Sequence, residues 1–113
     1  MHEMSLMVSM LEIIEDQARQ EGFRRVTRVT LEIGRMAGVD PEAMRFAFDA
    51  GTLDSVAEGA ELIIEETIGR ARCPACGLEA PVQVFYEPCA ACGQAPQEII
   101  AGRDMRIVSL EVD

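Results

Sequence analysis

The sequence has no lysine and no tryptophan, a single histidine, a single tyrosine and no long apolar run. Several of these gaps close off a class of function. All ten basic residues are arginine, and they face twenty acids for a formal charge of −10. A surface that holds nucleic acid needs a basic footprint against phosphate, which this balance does not supply. No stretch approaches the roughly 20 apolar residues of a membrane span. The first residues lack a basic start and a cleavage site, and Glu12, Glu15 and Asp16 interrupt their apolar pattern, so they do not read as a secretory signal. The one histidine, at position 2, leaves no Ser/His/Asp or Cys/His set to assemble, so the residues do not point to an enzyme. It also excludes a histidine-rich metal store.

What is present suits a small folded protein. A chain of 113 residues, 49% hydrophobic, excludes wholesale disorder and should form one compact domain, or one domain with a small insert. Residues 3 to about 20 read as an amphipathic helix, with Met4, Met7, Leu11, Ile14 and Ala18 on one face and Gly22 as a stop. Met4, Met7 and Met10 read as core rather than as thioether ligands. Residues 24–33 alternate as a strand, with Val29, Leu31 and Ile33 on one side. Asp40-Pro41-Glu42 announces a second helix, with Asp40 as N-cap and Pro41 at the first helical position. Met44, Phe46, Ala47, Phe48 and Leu53 supply its apolar content. A strand follows around 60–67, with Leu62 and Ile64 on one face. A last one at 105–112 alternates Val108, Leu110 and Val112 with Ser109 and Glu111.

Between those strands the composition changes abruptly, and residues 72–93 hold all four cysteines and three of the five prolines. The expected fold is α+β. Two helices pack on a small mixed sheet completed by the last strand, and a four-Cys, zinc-ribbon-like module is inserted. Residues 1–70 plus 95–113 would form the main domain and 71–94 the module.

Cys73-Pro-Ala-Cys76-Gly and Cys89-Ala-Ala-Cys92-Gly are two CxxC knuckles twelve residues apart. A tight CxxC turn sets two thiolates on one ion, and the glycine after each pair permits the left-handed backbone such turns often need. Two knuckles make the tetrahedral four-sulfur set of a closed structural Zn(II) site. Without an export signal the chain is expected in the reducing cytoplasm, where metal binding is favoured over disulfides. Four thiolates also suit a rubredoxin-like iron centre, which would make the chain an electron carrier. A zinc-ribbon adaptor that only binds other proteins is a further reading. A closed site leaves no open position for zinc catalysis.

The chain opens Met1-His2-Glu3. The amine of Met1, the His2 backbone nitrogen and the His2 imidazole can form adjacent small chelate rings, to which Glu3 can add a carboxylate or its amide. Nitrogen-rich sets of this kind favour Ni(II) or Cu(II) over zinc. They require neutral donors, so binding weakens with acidification. Asp40 is a further possible oxygen ligand if the fold brings it close, although capping alone accounts for it.

Together these features resemble the HypA/HybF family of hydrogenase nickel-incorporation proteins over the length of the chain. The resemblance is carried by Met1-His2-Glu3 before an amphipathic helix and by Leu31-Glu32-Ile33-Gly34. It continues through Ser55-Val56-Ala57-Glu58-Gly59-Ala60, the paired knuckles, and Met105-Arg106-Ile107-Val108-Ser109-Leu110-Glu111-Val112. It implies a nickel metallochaperone with Ni(II) held through residues matching Met1, His2 and Glu3, and in some members an acid matching Asp40. Zinc would be held structurally by the residues matching Cys73, Cys76, Cys89 and Cys92. The implied partners are a nickel-binding GTPase and the large subunit of [NiFe]-hydrogenase, and in some organisms urease. A homodimer is compatible with it. One departure stands out: many members have proline after the first cysteine of both knuckles and histidines near the zinc module, whereas the second knuckle here is Cys89-Ala90-Ala91-Cys92, with no histidine beside it.

Overall fold

The computed structural model describes residues 2–113. Helix α1 spans His2–Glu21, strand β1 Val26–Gly34, helix α2 Pro41–Gly51 and strand β2 Glu61–Thr67. Three four-residue strands follow, β3 Gly69–Arg72, β4 Glu79–Val82 and β5 Glu98–Ala101, before β6 at Met105–Val112. One three-stranded sheet has the order β2-β1-β6 and another the order β4-β3-β5. The α+β class, the two helices and the completion of a sheet by the last strand all follow the sequence expectation. The chain divides into two compact units. One comprises the chain through Leu31, Val39–Ile64 and Ile107–Asp113; the other comprises Glu32–Gly38 and Glu65–Arg106.

In the first unit α1 packs against α2. The buried stripe of α1 is Met7, Met10, Ile14 and Ala18, spaced by three, four and four residues as a helix face requires. It is rotated from the expected stripe, in that Met4 and Leu11 are only half-buried, while Met7 and Met10 take core places as expected. The α1 stop is as expected, with the Gly22 amide donating to the Ala18 carbonyl at 2.8 Å. Helix α2 buries Met44, Ala47 and Phe48. Phe46 lies about 200° around the helix from Met44 and is exposed, as is Leu53. Thr52, buried, satisfies its hydroxyl by donating to the Phe48 carbonyl at 2.7 Å. Strand β1 buries Val29, Leu31 and Ile33 in alternation, whereas Val26 is buried out of that phase and donates its amide to the Val56 carbonyl. Arg28 reaches from β1 to Glu61 on β2 at 2.8 Å and to Glu111 on β6 at 2.5 Å. In β6, Val108 and Val112 are exposed and Leu110 half-buried.

The second unit has a core of Met36, Ala71 and Val82, with Ile99 packed against it. Central β3 pairs antiparallel with β4, Gly69 opposite Val82 through Arg72 opposite Glu79. It also pairs antiparallel with β5, with a register shift at Arg70/Ala71. Pro81 sits on edge strand β4, where its missing N–H costs no ladder bond. None of these three strands is apparent from sequence periodicity.

Backbone segments cross closely in this unit at Gly34, Gly69 and Gly102. A Cβ on Gly34 would fall 2.0 Å from the Gly102 carbonyl oxygen, and one on Gly102 would fall 2.7 Å from the Cα of Gly69. The Met36 amide donates to the Gly102 carbonyl and the Gly34 amide to that of Asp104, both at 2.8 Å. Because the clash is with backbone, it cannot be relieved by a side-chain rotation. Gly34→Ala should therefore cost about 2–3 kcal/mol. Urea unfolding followed by circular dichroism measures it, and a loss below about 0.5 kcal/mol would contradict this packing.

Candidate metal centre

The two knuckles have the same hydrogen bonds, sixteen residues apart. In the first, the Cys73 amide donates to the Leu78 carbonyl at 2.9 Å and the Gly77 amide to the Cys73 carbonyl at 2.8 Å. In the second, the Cys89 amide donates to Gln94 and the Gly93 amide to Cys89, each at 2.9 Å. Both glycines adopt the left-handed backbone that closes the turn, at φ of 80° and 74°. The second knuckle makes this turn with Ala90 where the first has Pro74, so proline is not what shapes it.

The sulfurs repeat the pattern. Sγ of Cys73 accepts from the amides of Cys76 and Ala75, and Sγ of Cys89 from those of Cys92 and Ala91. The second cysteines accept one amide each, Cys76 from Leu78 and Cys92 from Gln94. Cys73 and Cys89 are buried, Cys76 and Cys92 exposed. The amides of Cys76 and Ala75 hold the Cys73 thiol below its ordinary range. Those of Cys92 and Ala91 bring Cys89 down to about 6. For Cys92 the Gln94 amide pulls downward, but the sulfurs of Cys73, Cys89 and Cys76 together with desolvation outweigh it and push the thiol up to about 12. Cys76 is raised in the same way, with the Leu78 amide outweighed by the Cys89 and Cys73 sulfurs and desolvation. Crowding of sulfurs thus opposes ionising all four at once.

A cation removes that opposition. Cys73 and Cys92 sulfurs are 3.5 Å apart, Cys76 and Cys89 3.6 Å, and all four lie within 4.8 Å of one another. Four bonds of about 2.3 Å at tetrahedral angles set sulfurs roughly 3.8 Å apart, so the donors fit a Zn(II)-sized thiophilic ion. Among the described residues, only these four form such a group of His, Cys, Asp or Glu ligands.

Of the other predicted ligands, three open the chain and the fourth, Asp40, precedes α2. Met1 is outside the described residues. His2 is exposed, as the first residue of α1. Glu3 Oε2 accepts the Asp40 amide at 3.2 Å, which, with the amide of Glu3 itself, holds this carboxyl below its ordinary range. Asp40 directs its own carboxylate elsewhere: Oδ1 accepts the Glu42 amide at 2.9 Å and caps α2. The structure thus joins Glu3 to Asp40 through backbone, a link between residues 37 apart that no local signal announces.

A family model described as hydrogenase/urease nickel incorporation, metallochaperone, HypA matches residues 1–112. The chain belongs to the HypA family. It is 47% identical over 113 residues, the whole of both chains, to hydrogenase maturation factor HypA of Chlorobaculum tepidum. Identity is also 47%, over both whole chains, to the factor of that name from Geobacter metallireducens. Among solved structures it is similar to the Ni metallochaperone HypA from Helicobacter pylori, with a TM-score of 0.70 and 26% identity over 97% of this chain and 96% of that one. HypA proteins are maturation factors rather than enzymes. Family membership disfavours the electron-carrier reading and the adaptor reading, neither of which accounts for the first unit.

Two measurements follow from this geometry. Zn(II) binding to metal-free chain should release more protons at a pH of about 5 than at about 7.5, because Cys89, lowered to about 6, is ionised at the higher value and protonated at the lower. Calorimetry in buffers of different ionisation enthalpy reads this, and a release that stays flat or falls would contradict the assigned inequality of the thiols. Asp40→Ala should cost about 1 kcal/mol of stability through loss of the cap, whereas Asp40→Asn should cost little. Equal losses in thermal unfolding would show that the carboxylate does more than cap.

Proposed function

We propose that the chain carries Ni(II) at its amino terminus and hands it on for hydrogenase maturation, while the four cysteines hold Zn(II) as a structural ion. The nickel ligands in this reading are the Met1 amine, His2 and Glu3. The supporting observation is that His2 stands exposed at the first position of α1. The first four N–H groups of a helix have no intrahelical acceptor. The amide nitrogens of His2 and Glu3 can therefore exchange a proton for a metal bond without breaking a helical hydrogen bond.

Transfer requires no covalent step. A chelate at a chain end exchanges its ligands one at a time as a recipient supplies its own, so the ion need not pass through a naked state. The recipients in this reading are a nickel-binding GTPase and the large subunit of [NiFe]-hydrogenase, with urease a further destination suggested by the family description. Asp40 is assigned to positioning: its amide holds Glu3, and its carboxylate is engaged by α2. The cysteine site has no vacant coordination position once four thiolates bind, so it stabilises rather than delivers.

His2→Ala, or a short peptide added before Met1, should abolish specific Ni(II) binding while zinc content and circular dichroism stay unchanged. Nickel affinity unaltered in both variants, measured calorimetrically on untagged protein, would overturn the chelate. Cys73→Ala should lose stoichiometric zinc and destabilise the second unit; retention of one zinc per chain would contradict the structural assignment.

A further inference from the structure

Beside its buried stripe, helix α1 carries a second one that the first unit covers only in part. Between it and the end of α2 runs a groove of about 450 Å³. Its apolar end is made by Val8, 52% exposed, and half-buried Leu11, which lie beside the fully buried Met7. Glu12, Glu15 and Asp16 line its continuation, and Arg19 ends it, ion-paired with Asp16. The intervals from Met7 to Arg19 trace one side of a helix over roughly 18 Å. The groove therefore has an apolar end and an acidic end, in that order along α1.

Gly51, the last residue of α2, lines the groove as well. Its backbone is not left-handed, so conformation does not call for glycine, which costs a helix about 0.5–1 kcal/mol relative to alanine. A Cβ there would lie 3.0 Å from Cγ of the buried Met7, so glycine keeps this side of the groove low. A bare backbone at this point keeps the channel open.

The charges define what can cover it. Glu15 accepts the Val56 amide at 3.2 Å and Asp16 holds Arg19, whereas Glu12 is exposed with no partner among the described residues. Three acids against one base leave the wall negative. A wholly apolar occupant would desolvate these carboxylates without compensation. A second copy of this chain, itself carrying −10, would oppose like charges. We propose that the groove docks a basic amphipathic helix of another protein. Its aliphatic side chains cover Val8 and Leu11, and its arginines or lysines face Glu12, Glu15 and Asp16. The straight run along α1 suits a helix laid in a groove. The assignment does not depend on which metal the amino terminus takes.

The test uses the full-length chain, isotopically labelled, and a synthetic peptide of about 14 residues. The peptide carries leucines on one stripe of its first half and arginines in its last turns, where the helix dipole also favours them. A twin has glutamate for each arginine. The arginine peptide should shift the amide resonances of residues 7–19 and 51, and bind at least about tenfold more tightly than the twin, with weaker binding at higher salt. Glu12→Arg, at an exposed position, should weaken it about fivefold with the fold intact, and Gly51→Leu at least about tenfold. Equal affinity for the two peptides, shifts confined to other surfaces, no binding at millimolar peptide, or indifference to Glu12→Arg would each overturn the proposal. Concentration-dependent dimerisation in sedimentation that Gly51→Leu abolishes would overturn it too, in favour of a second copy.

Discussion

The convergence of four cysteine sulfurs within 4.8 Å is the constraint on which the second unit depends. Its apolar cluster is small, Met36, Ala71 and Val82 with Ile99 alongside. A core of that size rarely holds a module without a further staple, and a metal ion is one of the few that act within so few residues. The ordered amides around each sulfur represent preparation for it. They stabilise thiolate at Cys73 and Cys89, while the crowded sulfurs resist full ionisation until a cation is shared. The short strands and the close crossing at Gly34 and Gly102 complete a unit whose packing alone is modest.

The first unit is organised differently, through two helices and a buried aliphatic stripe rather than through a cross-link. The first turn of α1 is nonetheless tied down. Glu3 accepts the amide of Asp40, and Asp40 caps α2, so the first turn of one helix and the start of the other share a short chain of hydrogen bonds. That continuity gives Asp40 a role that does not require it to touch a metal.

Much of this was legible from residues alone, for identifiable reasons. The four-sulfur cluster is read directly from two CxxC-Gly repeats, since the spacing itself dictates the turn. Asp40-Pro41-Glu42 marks the start of α2 because capping chemistry is local. The buried face of α1 was harder to place. Val8, Leu11 and Ile13 add apolar surface around most of its circumference, so periodicity supports more than one stripe, and tertiary packing selects Met7–Met10–Ile14–Ala18. Phe46 illustrates the complementary failure: an apolar residue on a helix is not a core residue when its angle is wrong. Strands β3, β4 and β5 escape detection because four residues rich in Arg, Glu and Pro carry no alternation. They exist through pairing with segments distant in the chain. The Glu3–Asp40 bond is invisible for the same reason.

The unequal burial of the cysteines gives the sulfur site a front and a back. Cys73 and Cys89 are enclosed, and Cys76 and Cys92 are exposed. Any chelator, oxidant or competing ion must approach from the side of the latter pair. Loss of an ion held there would therefore be directional, with the exposed sulfurs letting go while the buried pair still holds it. The resistance of a metal-loaded site to such attack would be set by access to those two residues rather than by the average strength of four bonds.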